Sequence, residues 1–193
     1  MRHRKILCLV LFILVLAGLS EAAQDTRAKN IASVFMKHNP KLNANTADKY
    51  AGIVIEAAKK YKQDPYVIAG IIIHESTVNN KAVSKGGDYG LMQVRWKVHE
   101  QAIRKEYPKV KKAEDMFDAR INIFYGTEVF AYCASKTDTT EAALMKYSAG
   151  STKLTNKVLA TVKELQAMDK KTSPAKTKKK TSILSRIMGR KGN

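Results

Sequence analysis

The chain has 193 residues, enough for one ordinary domain with appendages, and 45% of them are apolar, enough for a core; two separate cores do not fit. The net charge of +18 is uneven: residues 1–22 carry three basic and one acidic residue, residues 23–168 carry 23 and 15, and residues 169–193 carry nine and one. Charge alone would motivate nucleic-acid binding, but no nucleic-acid motif accompanies it and the N-terminus reads as an export signal, which sets that partner aside.

Residues 1–22 are predicted to be a secretory signal: Arg2, Arg4 and Lys5 precede an apolar run from Ile6 to Leu19, and Ser20-Glu21-Ala22 has the small-residue pattern of a cleavage site. An uncleaved anchor competes with this reading, although the run is shorter than the roughly 20 residues a spanning helix needs. Cleavage before Ala23 would leave Cys133 without a disulfide partner, and within Phe130-Ala131-Tyr132-Cys133 it reads as a small buried hydrophobe.

Residues 23–47 form a polar lead-in in which Ile31, Val34, Phe35 and Met36 predict a short helix ending before Asn39-Pro40. From a cap at Asn45-Thr46, Tyr50, Ile53, Val54, Ala57 and Tyr61 recur at three- and four-residue steps and predict an amphipathic helix. A second helix starts at Asp64-Pro65, with Asp64 as capping acceptor and Pro65 at the first helical position. After so short a connection the two should pair through their apolar faces.

Counting on from Ile71 and Ile72 brings Glu75 to the buried stripe at the C-terminal end of that second helix. Desolvation and the negative end of the helix dipole both disfavour a charged carboxylate there, so its pKa should rise and Glu75 can act as a general acid. The competing reading turns Glu75 out to solvent at a frayed helix end, and spacing alone favours it. His74 has no partner at metal-ligand spacing and reads as structural or exposed; no metal or cofactor site is expected.

The deciding signal is the order of pieces after Glu75. Glu75-Ser76, Ala82-Val83-Ser84 and Gly90-Leu91-Met92-Gln93-Val94, followed by Tyr147-Ser148-Ala149-Gly150, resemble the signature of the soluble (Slt-type) lytic transglycosylases. The resemblance covers residues from about 48 to 168 and implies a mostly α, lysozyme-like (α+β) domain with a small hairpin beside its cleft. It implies a peptidoglycan glycan strand as substrate, cut at the MurNAc–GlcNAc β-1,4 bond without water, with Glu75 as acid and then base. It further implies that Ser84 and Gln93 contact the muramyl sugar, that Met92 lines the cleft, and that the Tyr147 hydroxyl approaches Glu75. Asp88 need not be catalytic, because the substrate's N-acetyl group is thought to replace a second carboxylate. Ser148 stands where the family usually has asparagine, and Asp88-Tyr89 departs from the commoner Gly-Ala-x-Gly form.

Trp96 reads as a core residue, with sugar stacking as the alternative. Residues 115–135 are predicted as a central buried helix in which Asn122-Ile123 and Gly126 echo a family pattern. Asp138-Thr139-Thr140-Glu141 resembles a capping box that leads to Tyr147, and Gly150 stops that helix. Residues 155–168 close the domain, and the basic segment 169–193 is expected to be disordered in isolation. Its Ile183-Leu184 and Ile187-Met188 can form a short amphipathic helix on an anionic membrane or on an envelope-spanning secretion or conjugation complex. Three functional expectations stay open: an exported lytic transglycosylase of the periplasm or envelope, a muramidase of the same fold, and a non-catalytic wall-binding component.

Overall fold

The computed structural model describes residues 23–172, so the expectations for residues 1–22 and for the basic segment beyond 172 lie outside the described residues. The elements are a helix over residues 23–38 (α1), α2 Ala44–Tyr61, α3 Pro65–Ser76, β1 Asp88–Tyr89, β2 Val94–Arg95 and α4 Trp96–Glu106. A 3-10 turn Ala113–Phe117 follows, then α5 Ala119–Ala134, α6 Thr140–Tyr147 and α7 Thr152–Thr172. Helices plus one two-stranded antiparallel hairpin make the mostly α, lysozyme-like architecture expected from the sequence.

α3 is the axis of the molecule. Every residue from Pro65 to Ile73 is buried, because α2 and α7 pack against it and leave no solvent face. The Asp64 side chain accepts from the Tyr66 N–H at 2.9 Å and Pro65 takes the first turn, as the sequence indicates. Gly70 admits α7 so closely that an added Cβ would lie 2.9 Å from the Val158 side chain.

α1 belongs to this core: Ile31 and Phe35 are fully buried. Its partners, which the sequence does not identify, are α7 and α3. Asn30 and Tyr66 both donate to Asp169, and Lys37 pairs with Glu164 at 2.7 Å. That anchorage at Asp169 extends α7 past the predicted end at Met168. α2 begins two residues earlier than predicted, because Asn43 rather than Asn45 accepts the Thr46 N–H. The predicted helix over 115–135 is divided: the 3-10 turn ends at Asp118, whose side chain accepts the Ile121 N–H and starts α5. α6 is capped by Thr139, whose hydroxyl accepts from Ala142. Cys133 is buried, as its surroundings in the sequence suggest.

Candidate active site

α3 ends at Ser76, and Thr77 and Val78 follow with φ of 53° and 56°. Two successive β-branched residues in the left-handed region are costly, and they turn the chain sharply away from the helix axis. Glu75 therefore occupies the last turn and faces a cleft of about 460 Å³ bordered by the hairpin, α4, α5, α6 and the start of α7. No protein hydrogen bond reaches its carboxyl group among the described residues. Burial, and then the negative charge of Asp88, raise that carboxyl from an ordinary 4.5 to about 7. The result is a carboxylic acid that keeps its proton near neutrality with a free lone pair facing open space.

The hairpin forms the opposite wall. Asp88 pairs with Arg95 across the two strands, and the register brings opposite charges face to face. Arg95 donates to both Asp88 oxygens, at 2.7 and 3.2 Å, and the Ser84 hydroxyl donates to one of them at 2.7 Å. The Arg95 guanidinium, with Ser84 assisting, holds Asp88 below the usual carboxylate range. Two carboxyl groups in one cleft thus have proton affinities pushed in opposite directions.

Asn122, fully buried in α5, locks the hairpin to the core. Its Oδ1 accepts from Met92 N–H at 2.8 Å, and its Nδ2 donates to the carbonyls of Tyr89 at 2.8 Å and Met116 at 3.0 Å. Gly90, at φ 77°, is the approach point; a Cβ there would lie 2.3 Å from Asn122 Nδ2. The sequence marks Asn122 only as part of a family pattern, and its three-way role depends on a contact across 30 positions.

The other predicted residues divide between the cleft and its frame. Gln93 and Tyr147 line the cleft. Gln93 commits its Nε2 to the carbonyls of Gly90 and Ala82, which leaves its side-chain oxygen as the acceptor. The Tyr147 hydroxyl donates to the Met92 carbonyl at 2.8 Å rather than to Glu75, while burial and the neighbouring Glu75 charge keep the phenol protonated. Met92 is fully buried, its side chain against Gly126, so the cleft wall is formed by its neighbours. Ser84 accepts the Gly86 and Asp88 N–H groups at 3.1 Å each besides donating to Asp88, and works inside the turn rather than along the wall.

Trp96 is likewise away from the cleft, with the Arg104 guanidinium 5.6 Å from its ring centroid. His74 is structural: its Nε2 lies 2.9 Å from the Thr161 hydroxyl, and its ring meets His38 edge-on. Among the described residues no cluster of His, Cys, Asp and Glu could hold a metal ion, and no helix is long and apolar enough to cross a membrane. Sequence reasoning did not single out Val98, His99, Ser151 or Leu154, which also line the cleft. Val98 left one trace, an apolar side chain among the polar residues of α4, and it is 68% exposed.

The transglycosylase SLT domain family model matches residues 52–169, a span that contains the whole cleft. The chain is similar to the membrane-bound lytic murein transglycosylase E of Buchnera aphidicola subsp. Acyrthosiphon pisum (strain APS), with 28% identity over 133 residues, 66% of this chain and 58% of that one. It is also similar to lysozyme g of Takifugu rubripes, with 39% identity over 57 residues, 28% of this chain and 30% of that one. The chain spans less than two thirds of the length of either relative.

Proposed function

The chain belongs to the transglycosylase SLT domain family, and on that premise we propose that it cleaves the MurNAc–GlcNAc β-1,4 bond of peptidoglycan and leaves a 1,6-anhydromuramyl end. The observation that carries this reading is Glu75, a partly buried carboxyl raised to about 7 with no hydrogen-bond partner among the described residues, in a cleft large enough for sugar rings.

In the proposed reaction the protonated Glu75 gives its proton to the glycosidic oxygen as the C1–O bond breaks. The carboxylate left behind then takes the proton of the muramyl C6 hydroxyl as that oxygen bonds to C1, which returns Glu75 to its starting state. A pKa near neutrality suits a group that must donate and then accept in one turnover. Gln93 supports the sugar through its side-chain oxygen. Tyr147 acts through the Met92 carbonyl, holding the Gly90–Gln93 turn against Glu75.

A second reading, hydrolysis by water at C1, is favoured by the Asp88 carboxylate in the same cleft and by the likeness to lysozyme g. Against it, both Asp88 oxygens are occupied by Arg95 and Ser84, which lowers the basicity needed to activate water. Digestion of purified peptidoglycan by the full-length protein and by Glu75→Gln, with mass spectrometry of the released ends, separates the readings. Anhydromuramyl ends that vanish in Glu75→Gln support the lytic reaction, reducing ends support the hydrolase, and no release by folded protein defeats both.

Export to the cell envelope is part of the proposal, supported by the basic-then-apolar pattern of residues 1–22. The compact domain and the basic segment 169–193 support local opening of the wall for a secretion, conjugation or pilus apparatus. Fractionation and N-terminal sequencing of the cell-derived protein test the first part. Loss of the apparatus on introducing Glu75→Gln tests the second.

A further inference from the structure

His99 stands on the cleft-facing side of α4 and lines the cleft. Its Nδ1 is 3.1 Å from the Tyr125 hydroxyl, and the two rings meet edge-on with centroids 5.4 Å apart. Tyr125 is 5% exposed and its hydroxyl has no other hydrogen-bond partner among the described residues. A buried phenol must place its proton on an acceptor, and Tyr125 remains an O–H because burial pushes it up to about 12. Nδ1 is therefore the acceptor, and the ring proton resides on Nε2. Burial also lowers the affinity of the imidazole for a second proton, so the ring is neutral.

We propose that His99 is a specificity-determining residue that offers a neutral Nε2–H in the cleft to an amide carbonyl of the substrate. The inference rests on the peptidoglycan reading above. Two features of the cleft favour a neutral amide over a carboxylate. Among the described lining residues the lysine or arginine cation is Arg95, which already holds Asp88, and the same lining includes Val98, Val129 and Leu154. Those apolar groups suit the methyl that accompanies such a carbonyl. In peptidoglycan the carbonyl comes either from the 2-acetamido group of a sugar or from the alanine-containing peptide on the muramyl lactyl ether.

The test pairs two substitutions that retain different halves of the imidazole. Glutamine places its amide N–H where Nε2–H lies, whereas asparagine places an oxygen where Nδ1 accepts from Tyr125. His99→Leu and His99→Asn are expected to raise KM about tenfold with kcat little changed, and His99→Gln to restore KM to within about threefold. Rescue by Asn and not by Gln would show a structural acceptor for Tyr125 and overturn the proposal.

Running the series on intact peptidoglycan and on amidase-stripped glycan locates the carbonyl. An effect on both supports the acetamido group, an effect confined to intact material supports the peptide, and no effect on either overturns the proposal. Independently of turnover, long-range ¹⁵N–¹H correlation of histidine-labelled full-length protein at about pH 7.5, with His99 assigned from His99→Gln, reads the tautomer. An Nε2–H signal supports the proposal and an Nδ1–H signal overturns it. Co-sedimentation of Glu75→Gln with sacculi, with and without His99→Leu, reads binding where there is no cleavage. A roughly tenfold loss supports the contact and an unchanged Kd refutes it, so failure of the transglycosylase reading stays distinct from failure of this one.

Discussion

Glu75→Gln is expected to abolish turnover and also to stabilise the fold at alkaline pH, while leaving it unchanged at acid pH. Burial and Asp88 raise the Glu75 carboxyl from 4.5 to about 7, so the folded chain holds this proton more tightly than the unfolded chain. The associated stability is fully present below about 4.5 and is lost as pH rises through about 7. At 1.36 kcal/mol per pH unit the full effect is roughly 3 kcal/mol. Glu75 borders a cleft open to solvent, which screens part of this, leaving about 2 kcal/mol. Glutamine is always neutral and escapes the loss. Urea unfolding followed by circular dichroism at about pH 4 and about pH 8 measures the gap between the two proteins; other titrations are common to both and largely cancel. At pH 8 the variant midpoint should lie about 1 M urea higher, and at pH 4 the midpoints should coincide. An equal gap at both pH values would show that Glu75 has an ordinary proton affinity in the folded chain, and the general-acid assignment would lose its physical basis.

Activity should fall above about pH 7 as Glu75 loses the proton it donates. Asp88→Asn removes a negative charge that raises Glu75, so the alkaline limb of kcat/KM should move to lower pH; a limb that stays put would break the link between the two carboxyl groups. Asn122→Ala leaves the Met92 N–H and two carbonyls unpaired around a buried cavity, and should destabilise the protein by about 4 kcal/mol in equilibrium unfolding. Thr155 is 1% exposed and its hydroxyl has no partner among the described residues, so Thr155→Val should raise stability by about 1 kcal/mol, read as a higher Tm.

Much of the architecture is legible in local chemistry. Asp64-Pro65 announces the start of α3, and counting along its apolar residues reaches Glu75 at the last turn, so the candidate acid is visible before any fold exists. The same counting predicts an amphipathic helix where the structure has α2, whereas the hairpin is expected only from the family resemblance. Where two local signals compete the pattern does not choose between them: Asn43 and Asn45 both suit a cap, and Asn43 takes the Thr46 N–H. Long-range contacts decide the rest. α7 runs beyond Met168 because Tyr66 and Asn30 hold Asp169 from elsewhere in the chain.

Sequence by itself determined that Glu75 ends a helix of apolar residues, because helical periodicity and capping are encoded within a few positions. Only the tertiary structure decided its surroundings. The Met92 N–H meets Asn122 across 30 positions and its carbonyl meets Tyr147 across 55, which turns the Met92 side chain into the core and leaves Gln93 at the cleft. The same packing brings Asp88 near enough to raise Glu75 and seats Tyr125 behind His99. Proton affinity and tautomer depend on burial and on through-space neighbours, and these exist only once distant segments have packed together.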